Sequence, residues 1–134
     1  MVDVGGKPLS RRRARAVARL AMAPETATRL RDLPKGDALA AAQLAGIMAA
    51  KQTSELIPLC HPLPLSFIDV HVAIIENAAD VTSTVETTAR TGAEMEALVA
   101  ASIAALTIYD MAKAVDTTMA LTEVRLLEKT KEPV

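Results

Sequence analysis

A histidine and the only cysteine of the 134-residue chain lie together in a proline-flanked segment, Pro58-Leu59-Cys60-His61-Pro62. Because proline locks its own φ and restricts the residue before it, the backbone is fixed on both sides of His61. A histidine held in this way can exchange protons with a ligand, or it can simply cap the turn. From its residue type, Cys60 is predicted to be a small buried apolar residue.

A second group with possible chemistry is the pair Asp110 and Lys113, three residues apart in a long apolar segment. This spacing puts both side chains on one helix face, where they form either an acid–base pair or only a surface ion pair. Glu96 precedes Asp110 by 14 residues, so it is close to the same face but about 21 Å away along the axis. One compact site cannot use both ends of such a helix. Either the ligand is long, or copies of the chain meet to form the site.

Basic residues offer two further candidate sites. Lys35-Gly36-Asp37 precedes a predicted helix, whose free N–H groups together with the lysine would attract phosphate; a solvated lysine beside a helix cap is the alternative. The run Arg11–Arg15 could contact nucleic acid or a phosphate-rich small molecule. With only Phe67 and Tyr109 as aromatic residues, the chain lacks a base-stacking platform, so we expect no nucleic-acid partner.

Composition limits the remaining possibilities. Hydrophobic residues make up 51% of the chain and the net charge is −1, which excludes a disordered chain. Residues 1–51 carry ten basic and four acidic residues, whereas residues 52–134 carry five and twelve, a distribution that suits self-association or an anionic ligand. The single cysteine excludes a disulfide framework, and no signal peptide or membrane-spanning segment is apparent. We therefore expect a cytoplasmic protein that has no membrane partner and no metal-ligand cluster.

Periodicity and capping signals predict one domain, 1–134, with a mobile arm over 1–13 and a short tail over 130–134. The segment 14–22 is compatible with a helix or a strand. The expected fold is α+β, a sandwich with helices on one face of a largely antiparallel sheet. The predicted helices are 24–31, 38–52 and a third helix of about 24 residues that ends at Val115. Asp37 is the predicted cap of the second helix and Thr91 that of the third. The predicted strands are 67–75, 81–89 and 119–128, and the first two are joined by a turn over Asn77–Asp80.

Four blocks of the sequence together carry a resemblance to a known family. They are Met1–Val4, KGDALAAAQLAGIMAAKQTSELIPLCHPLPLS at 35–66, TGAEMEALVAASIAALTIYDMAKAV at 91–115, and VRLLEK at 124–129. In these blocks the chain resembles the cyclic pyranopterin monophosphate synthase family, the molybdenum cofactor biosynthesis protein C family. The resemblance covers the chain to about Lys129.

The resemblance implies a ferredoxin-like fold and a homohexamer, a trimer of dimers with sites at subunit interfaces. It implies a lyase of molybdenum cofactor biosynthesis that converts 3′,8-cyclo-7,8-dihydroguanosine 5′-triphosphate to cyclic pyranopterin monophosphate and releases pyrophosphate. No resident cofactor is implied, although Mg²⁺ on the triphosphate is compatible with it. Matched by motif, the implied catalytic residues are Asp110, Lys113, His61 and Lys35, and the implied substrate-binding residues are Leu59, Cys60, His61, Met95, Glu96, Arg12, Lys51, Glu94 and Lys129.

The chain departs from the family pattern mainly after Lys129. Family members usually continue with a Gly-Gly-Lys-Ser-Gly type of segment, whereas here Thr130-Lys131-Glu132-Pro133-Val134 follows. Lys131 is at best a poor substitute for the family's lysine. This leaves one alternative open, a non-catalytic oligomeric member of the family that binds a pterin or nucleotide.

Overall fold

The computed structural model describes residues 1–134, which form a four-stranded sheet and four helices. All strand pairs are antiparallel, and the order across the sheet is β2-β3-β1-β4. This arrangement confirms the α+β, ferredoxin-like fold. The elements are β1 (Ser10–Ala21), α1 (Pro24–Ala27), α2 (Ala38–Lys51), α3 (Thr53–Leu56), β2 (Leu65–Ile75), β3 (Ala78–Ala89), α4 (Glu94–Ala112) and β4 (Ala120–Pro133).

Strand β1 shows how the sheet divides into a covered face and an open face. Ala14, Ala16, Ala18 and Leu20 alternate along the strand and are fully buried, whereas the residues between them point to the other face. Helix α4 packs against β1 and β3, and α2 packs against β2, so both helices cover the same face. The ambiguous segment 14–22 is therefore a strand through Ala21, because its period of two matches a half-buried sheet.

Small residues allow α2 and α4 to pack closely and in opposite directions. A Cβ atom at Gly46 would lie 2.9 Å from Val70 Cγ2, 3.0 Å from the Ala100 carbonyl oxygen and 3.2 Å from Ala104 Cβ. Ala100 and Ala104 are themselves fully buried on α4. Because the helices are antiparallel, Lys51 at the end of α2 lies towards the beginning of α4, and the beginning of α2 lies near the end of α4.

Several predicted boundaries were wrong. Helix α1 ends at Ala27 rather than 31, and α4 ends at Ala112 rather than Val115. The residue that caps α4 is Ala93, with no side-chain hydrogen bond, instead of Thr91. The hairpin turn is at Glu76–Asn77, so both of its strands are longer than predicted.

The sheet also includes parts of the predicted arm and tail. Residues 10–13 are the first residues of β1, and residues 130–133 are the last residues of β4. Strands β1 and β4 pair along their whole length, from Ser10 opposite Pro133 to Ala21 opposite Ala120. Local sequence could not indicate this pairing because the two segments are more than 100 residues apart.

Helix α4 is long and apolar enough to span a membrane by length and composition alone. Half of that stretch is buried inside the fold, with Ala97, Ala101 and Ile108 fully inaccessible. The core role of the helix accounts for its apolar character.

Candidate active site

Asp110 lies between two lysines near the end of α4. Its Oδ1 is 2.9 Å from Lys113 Nζ, and its Oδ2 is 3.0 Å from Lys35 Nζ. The three side chains remain about half exposed to solvent. The structure therefore brings together three of the four predicted catalytic residues, in a cluster that a ligand can reach.

A tight turn presents Lys35 to this carboxylate. Leu33 and Gly36 exchange backbone hydrogen bonds of 3.1 and 2.9 Å, so Pro34 and Lys35 occupy the two central positions of the turn. Proline presets φ at the first of these. Gly36 has φ of 114°, a backbone conformation that residues with a side chain rarely adopt. Asp37 then caps α2 through hydrogen bonds from the N–H groups of Leu39 and Ala40, as predicted.

The electrostatics of the cluster favour the charged forms of Asp110 and Lys113. Hydrogen bonds and positive charge from Lys113 and Lys35 hold the pKa of Asp110 below its usual value. In return, the hydrogen bond to Asp110 and its negative charge raise the pKa of Lys113. At neutral pH the cluster thus offers one carboxylate as a proton acceptor and ammonium groups as donors or anion contacts.

His61 lines a separate cavity of about 590 Å³ at the beginning of α4. Three segments, 1–7, 57–61 and 91–95, contribute the lining residues. The predicted residues Leu59, Cys60, Glu94 and Met95 are among them. His61 Nε2 forms a 2.8 Å hydrogen bond with the backbone carbonyl oxygen of Val2, which fixes the ring and defines Nε2 as the donor.

Glu96 lies behind this cavity and is only 2% exposed. Its Oε2 accepts a 3.7 Å contact from Cys60 Sγ, and its Oε1 is buried without a hydrogen-bond partner. Burial raises the pKa of Glu96. Burial, followed by the neighbouring Glu96, also raises the pKa of Cys60, so this thiol is a weak nucleophile near neutral pH.

The remaining predicted substrate-binding residues lie outside the cavity lining. Lys51 is exposed at the last position of α2. Arg12 donates from Nη2 to the Arg90 carbonyl oxygen at 3.3 Å, and Lys129 lies opposite Ala14 in the pairing of β4 with β1. Arg12 and Lys129 belong to the end of the sheet from which α4 begins.

Within one chain the two candidate clusters do not meet. Helix α4 carries Glu96 near its first residue and Asp110 near its last, about 21 Å apart along the axis. No group of three or more His, Cys, Asp or Glu side chains is arranged to hold a metal ion.

Sequence reasoning missed seven of the twelve residues that line the cavity, namely Met1, Val2, Val4, Lys7, Ile57, Thr91 and Gly92. The block Met1–Val4 was part of the family resemblance, but nothing in its residue types indicates a site. The contribution of Val2 is a backbone oxygen, which any amino acid supplies, so no pattern of side chains could have identified it.

Comparison with known proteins assigns the family. A cyclic pyranopterin monophosphate synthase from Streptomyces coelicolor is 53% identical over 132 residues, which cover 97% of this chain and 78% of the relative. A protein of the same name from Heliobacterium modesticaldum is 54% identical over 134 residues, which cover 97% of this chain and 84% of the relative. A molybdenum cofactor biosynthesis bifunctional protein from Chlorobaculum tepidum is 58% identical over 132 residues, but the chain spans only 42% of it. The family model matches residues 1–132, and the chain therefore belongs to the MoaC family.

Proposed function

We propose that the protein is a cyclic pyranopterin monophosphate synthase of molybdenum cofactor biosynthesis. Its reaction converts 3′,8-cyclo-7,8-dihydroguanosine 5′-triphosphate to cyclic pyranopterin monophosphate and pyrophosphate. The observation that carries the proposal is the Lys35–Asp110–Lys113 cluster, found in a chain that is more than 50% identical to proteins of that name. A purely structural ion pair would need only one of the two lysines.

The chemistry explains why these residue types are needed. Opening and re-closing rings at C–N bonds requires a proton acceptor and a proton donor within hydrogen-bonding distance of the reacting atoms. Asp110, kept ionised by its neighbours, serves as the acceptor, and Lys113 serves as the donor. His61, oriented by the Val2 carbonyl oxygen, is a second group that can exchange a proton.

Formation of the cyclic phosphate requires positive charge. A ribose oxygen attacks the α-phosphorus, a new P–O bond forms, and the bond to the bridging oxygen breaks as pyrophosphate leaves with its electron pair. Cationic groups near the phosphates stabilise the negative charge that develops in this step. Lys51, Lys129 and Arg12 are the residues we assign to this role. The chain needs no resident cofactor for either step, and any Mg²⁺ enters with the triphosphate.

The active unit is a homohexamer, a trimer of dimers, in the cytoplasm. Its sites combine the Asp110 cluster of one copy with the His61 cavity of another. Two observations support this assembly: the clusters lie at opposite ends of α4, and large apolar side chains remain exposed on the helical layer. Leu44 is 61% exposed and Met48 is 50% exposed on α2, and Leu106 is 46% exposed on α4. Sedimentation at micromolar concentration tests the assembly, and a stable 14.1 kDa monomer would contradict it.

The function is tested by supplying the purified protein with the cyclised triphosphate and measuring pyrophosphate and pterin product together. Equal amounts of both are expected. The Asp110→Asn protein is the matched control because it preserves the size of the side chain. Binding of the triphosphate without either product would contradict the enzymatic proposal and favour a non-catalytic binding protein.

A further inference from the structure

The arginines of β1 differ in their partners according to the face of the sheet on which they lie. Those on the open face all contact carboxylates on neighbouring strands, at distances of no more than 3.9 Å. Every open-face arginine of β1 therefore has a carboxylate partner, and Arg13 and Arg15 share one. The four ion pairs are Arg11–Glu132, Arg13–Glu128, Arg15–Glu128 and Arg19–Asp80.

Arg12 is on the other face, in line with the buried Ala14, and it forms no ion pair. Its Nη2 donates to a backbone carbonyl oxygen, and its Nε is buried without a hydrogen-bond partner. The antiparallel register places Lys131 directly opposite Arg12, and Lys129 opposite Ala14. Directly paired residues of antiparallel strands share a face, so these three cations lie on the same side at one end of the sheet.

Neither Lys129 nor Lys131 forms an ion pair with a carboxylate of the chain. Like charges directly opposite each other on paired strands are destabilising. On the open face, one residue position away along each strand, every arginine of β1 has an acidic partner. The accumulation of unpaired charge beside Arg12 is therefore local, and an anion is the partner that would neutralise it.

We infer that Lys131 is a further binding residue for the proposed substrate, holding its triphosphate together with Arg12 and Lys129. This inference rests on the proposed function for the identity of the ligand, but the anion site itself is argued from the register and the missing ion pairs. Because β4 continues in register with β1 through Pro133, the backbone of Lys131 is held in place and its side chain is directed towards Arg12's face. A paired strand thus fixes this lysine.

The test measures the binding of inorganic pyrophosphate, the expected product, by titration calorimetry at low ionic strength. The two variants are Lys131→Gln and Arg11→Gln, which each remove one positive charge from the same end of the sheet but on opposite faces. We expect Lys131→Gln to weaken binding about fivefold, as for one exposed ionic contact, and Arg11→Gln to change it less than twofold. Because neither side chain is buried, both variants should fold, which circular dichroism verifies.

Three results would overturn the inference: no pyrophosphate binding by the natural protein, no loss in Lys131→Gln, or an equal loss in both variants. The equal loss would mean that only the overall charge matters.

Kinetics separates this inference from the proposed function. With the cyclised triphosphate, Lys131→Gln should raise KM about fivefold and change kcat less than twofold, because a phosphate contact is made before and during the reaction. Turnover by both the natural protein and Lys131→Gln, with identical KM, would refute the role of Lys131 and leave the enzymatic function intact. If the natural protein bound pyrophosphate through Lys131 but did not convert the cyclised triphosphate, the enzymatic function would be refuted and the role of Lys131 would stand.

Discussion

Lys35 and Asp110 are 75 residues apart in the chain, yet Lys35 Nζ donates a 3.0 Å hydrogen bond to Asp110 Oδ2. The antiparallel packing of α2 on α4 produces this contact, because it places the turn before α2 beside the end of α4. Asp110 therefore has a cation on each oxygen, and neither lysine alone determines its protonation.

The first prediction concerns Asp110→Asn, which preserves shape but removes the proton acceptor. Turnover of the cyclised triphosphate should fall about 10²-fold or more, while the dissociation constant for the substrate changes little. Pre-steady-state kinetics together with equilibrium binding separates the two quantities. Near-natural turnover would show that Asp110 only anchors the two lysines.

A titration by carbon NMR of the Asp110 carboxyl group checks its electrostatics independently of activity. Its pKa is lowered by Lys113 and Lys35, so the carboxylate persists to lower pH than an ordinary aspartate. Removing either cation, in Lys113→Met or Lys35→Met, should raise the pKa towards the usual value of about 3.9. An unchanged pKa in both variants would contradict the ion pairs. Lys7→Met, which removes a lysine from the other end of the fold, is the control.

The sequence predicted part of this site and part of the fold. The Asp110–Lys113 pair follows from helical spacing, and the Asp37 cap is correct because a cap depends only on neighbouring residues. Thr91 failed as a cap although it had the right local pattern: the N-cap of α4 is Ala93, and the helix begins at Glu94. The third member of the cluster, Lys35, was predicted from the sequence only as a phosphate contact before a helix, and its catalytic role was predicted only through the family resemblance. Its contact with Asp110 depends on how two helices pack, which short-range spacing does not encode.

Cys60 is the only cysteine, so thiol chemistry reports on the cavity alone. Burial and Glu96 raise the pKa of Cys60, which keeps it largely as the thiol at neutral pH. Replacing Glu96 by Gln removes a negative neighbour, so the pKa should fall and iodoacetamide should react faster at pH 7 to 8. The pH dependence of the alkylation rate measures this shift. Glu25→Gln is the control. Equal alkylation rates in the natural protein, Glu96→Gln and Glu25→Gln would contradict the Cys60–Glu96 contact.

Asp116 is predicted to stabilise the fold rather than take part in the reaction. Its carboxylate is 6% exposed and accepts hydrogen bonds from Ala23, Thr26 and Thr118. Burial by itself would raise its pKa, but these bonds outweigh burial and lower it. We expect Asp116→Ala to reduce the free energy of unfolding by about 3 kcal/mol, since several buried donors lose a charged acceptor.

Urea-induced unfolding at fixed protein concentration measures that loss, with the exposed Asp69→Ala as the control, which should cost less than about 0.5 kcal/mol. The pH dependence follows from the lowered pKa. The stabilisation from Asp116 is fully present above the unfolded-state value of about 3.9 and is lost as pH falls below it. The stability difference between the natural protein and Asp116→Ala should therefore be constant near neutral pH and shrink in acid.

The last prediction tests whether one site draws residues from two copies of the chain. Asp110→Ala and His61→Ala proteins should each be inactive, because they remove residues at opposite ends of α4. When the two are unfolded together and refolded as mixed oligomers, some interfaces receive an intact Asp110 from one copy and an intact His61 from another. Those interfaces should recover activity, up to roughly a quarter of the natural level if copies mix at random in two-chain sites.

Mixing of the two proteins is verified by mass spectrometry of the intact oligomer. If mixing is complete and activity stays at the level of the separate variants, each site is built within one chain. The separation of about 21 Å along α4 would then have to be bridged by a long ligand.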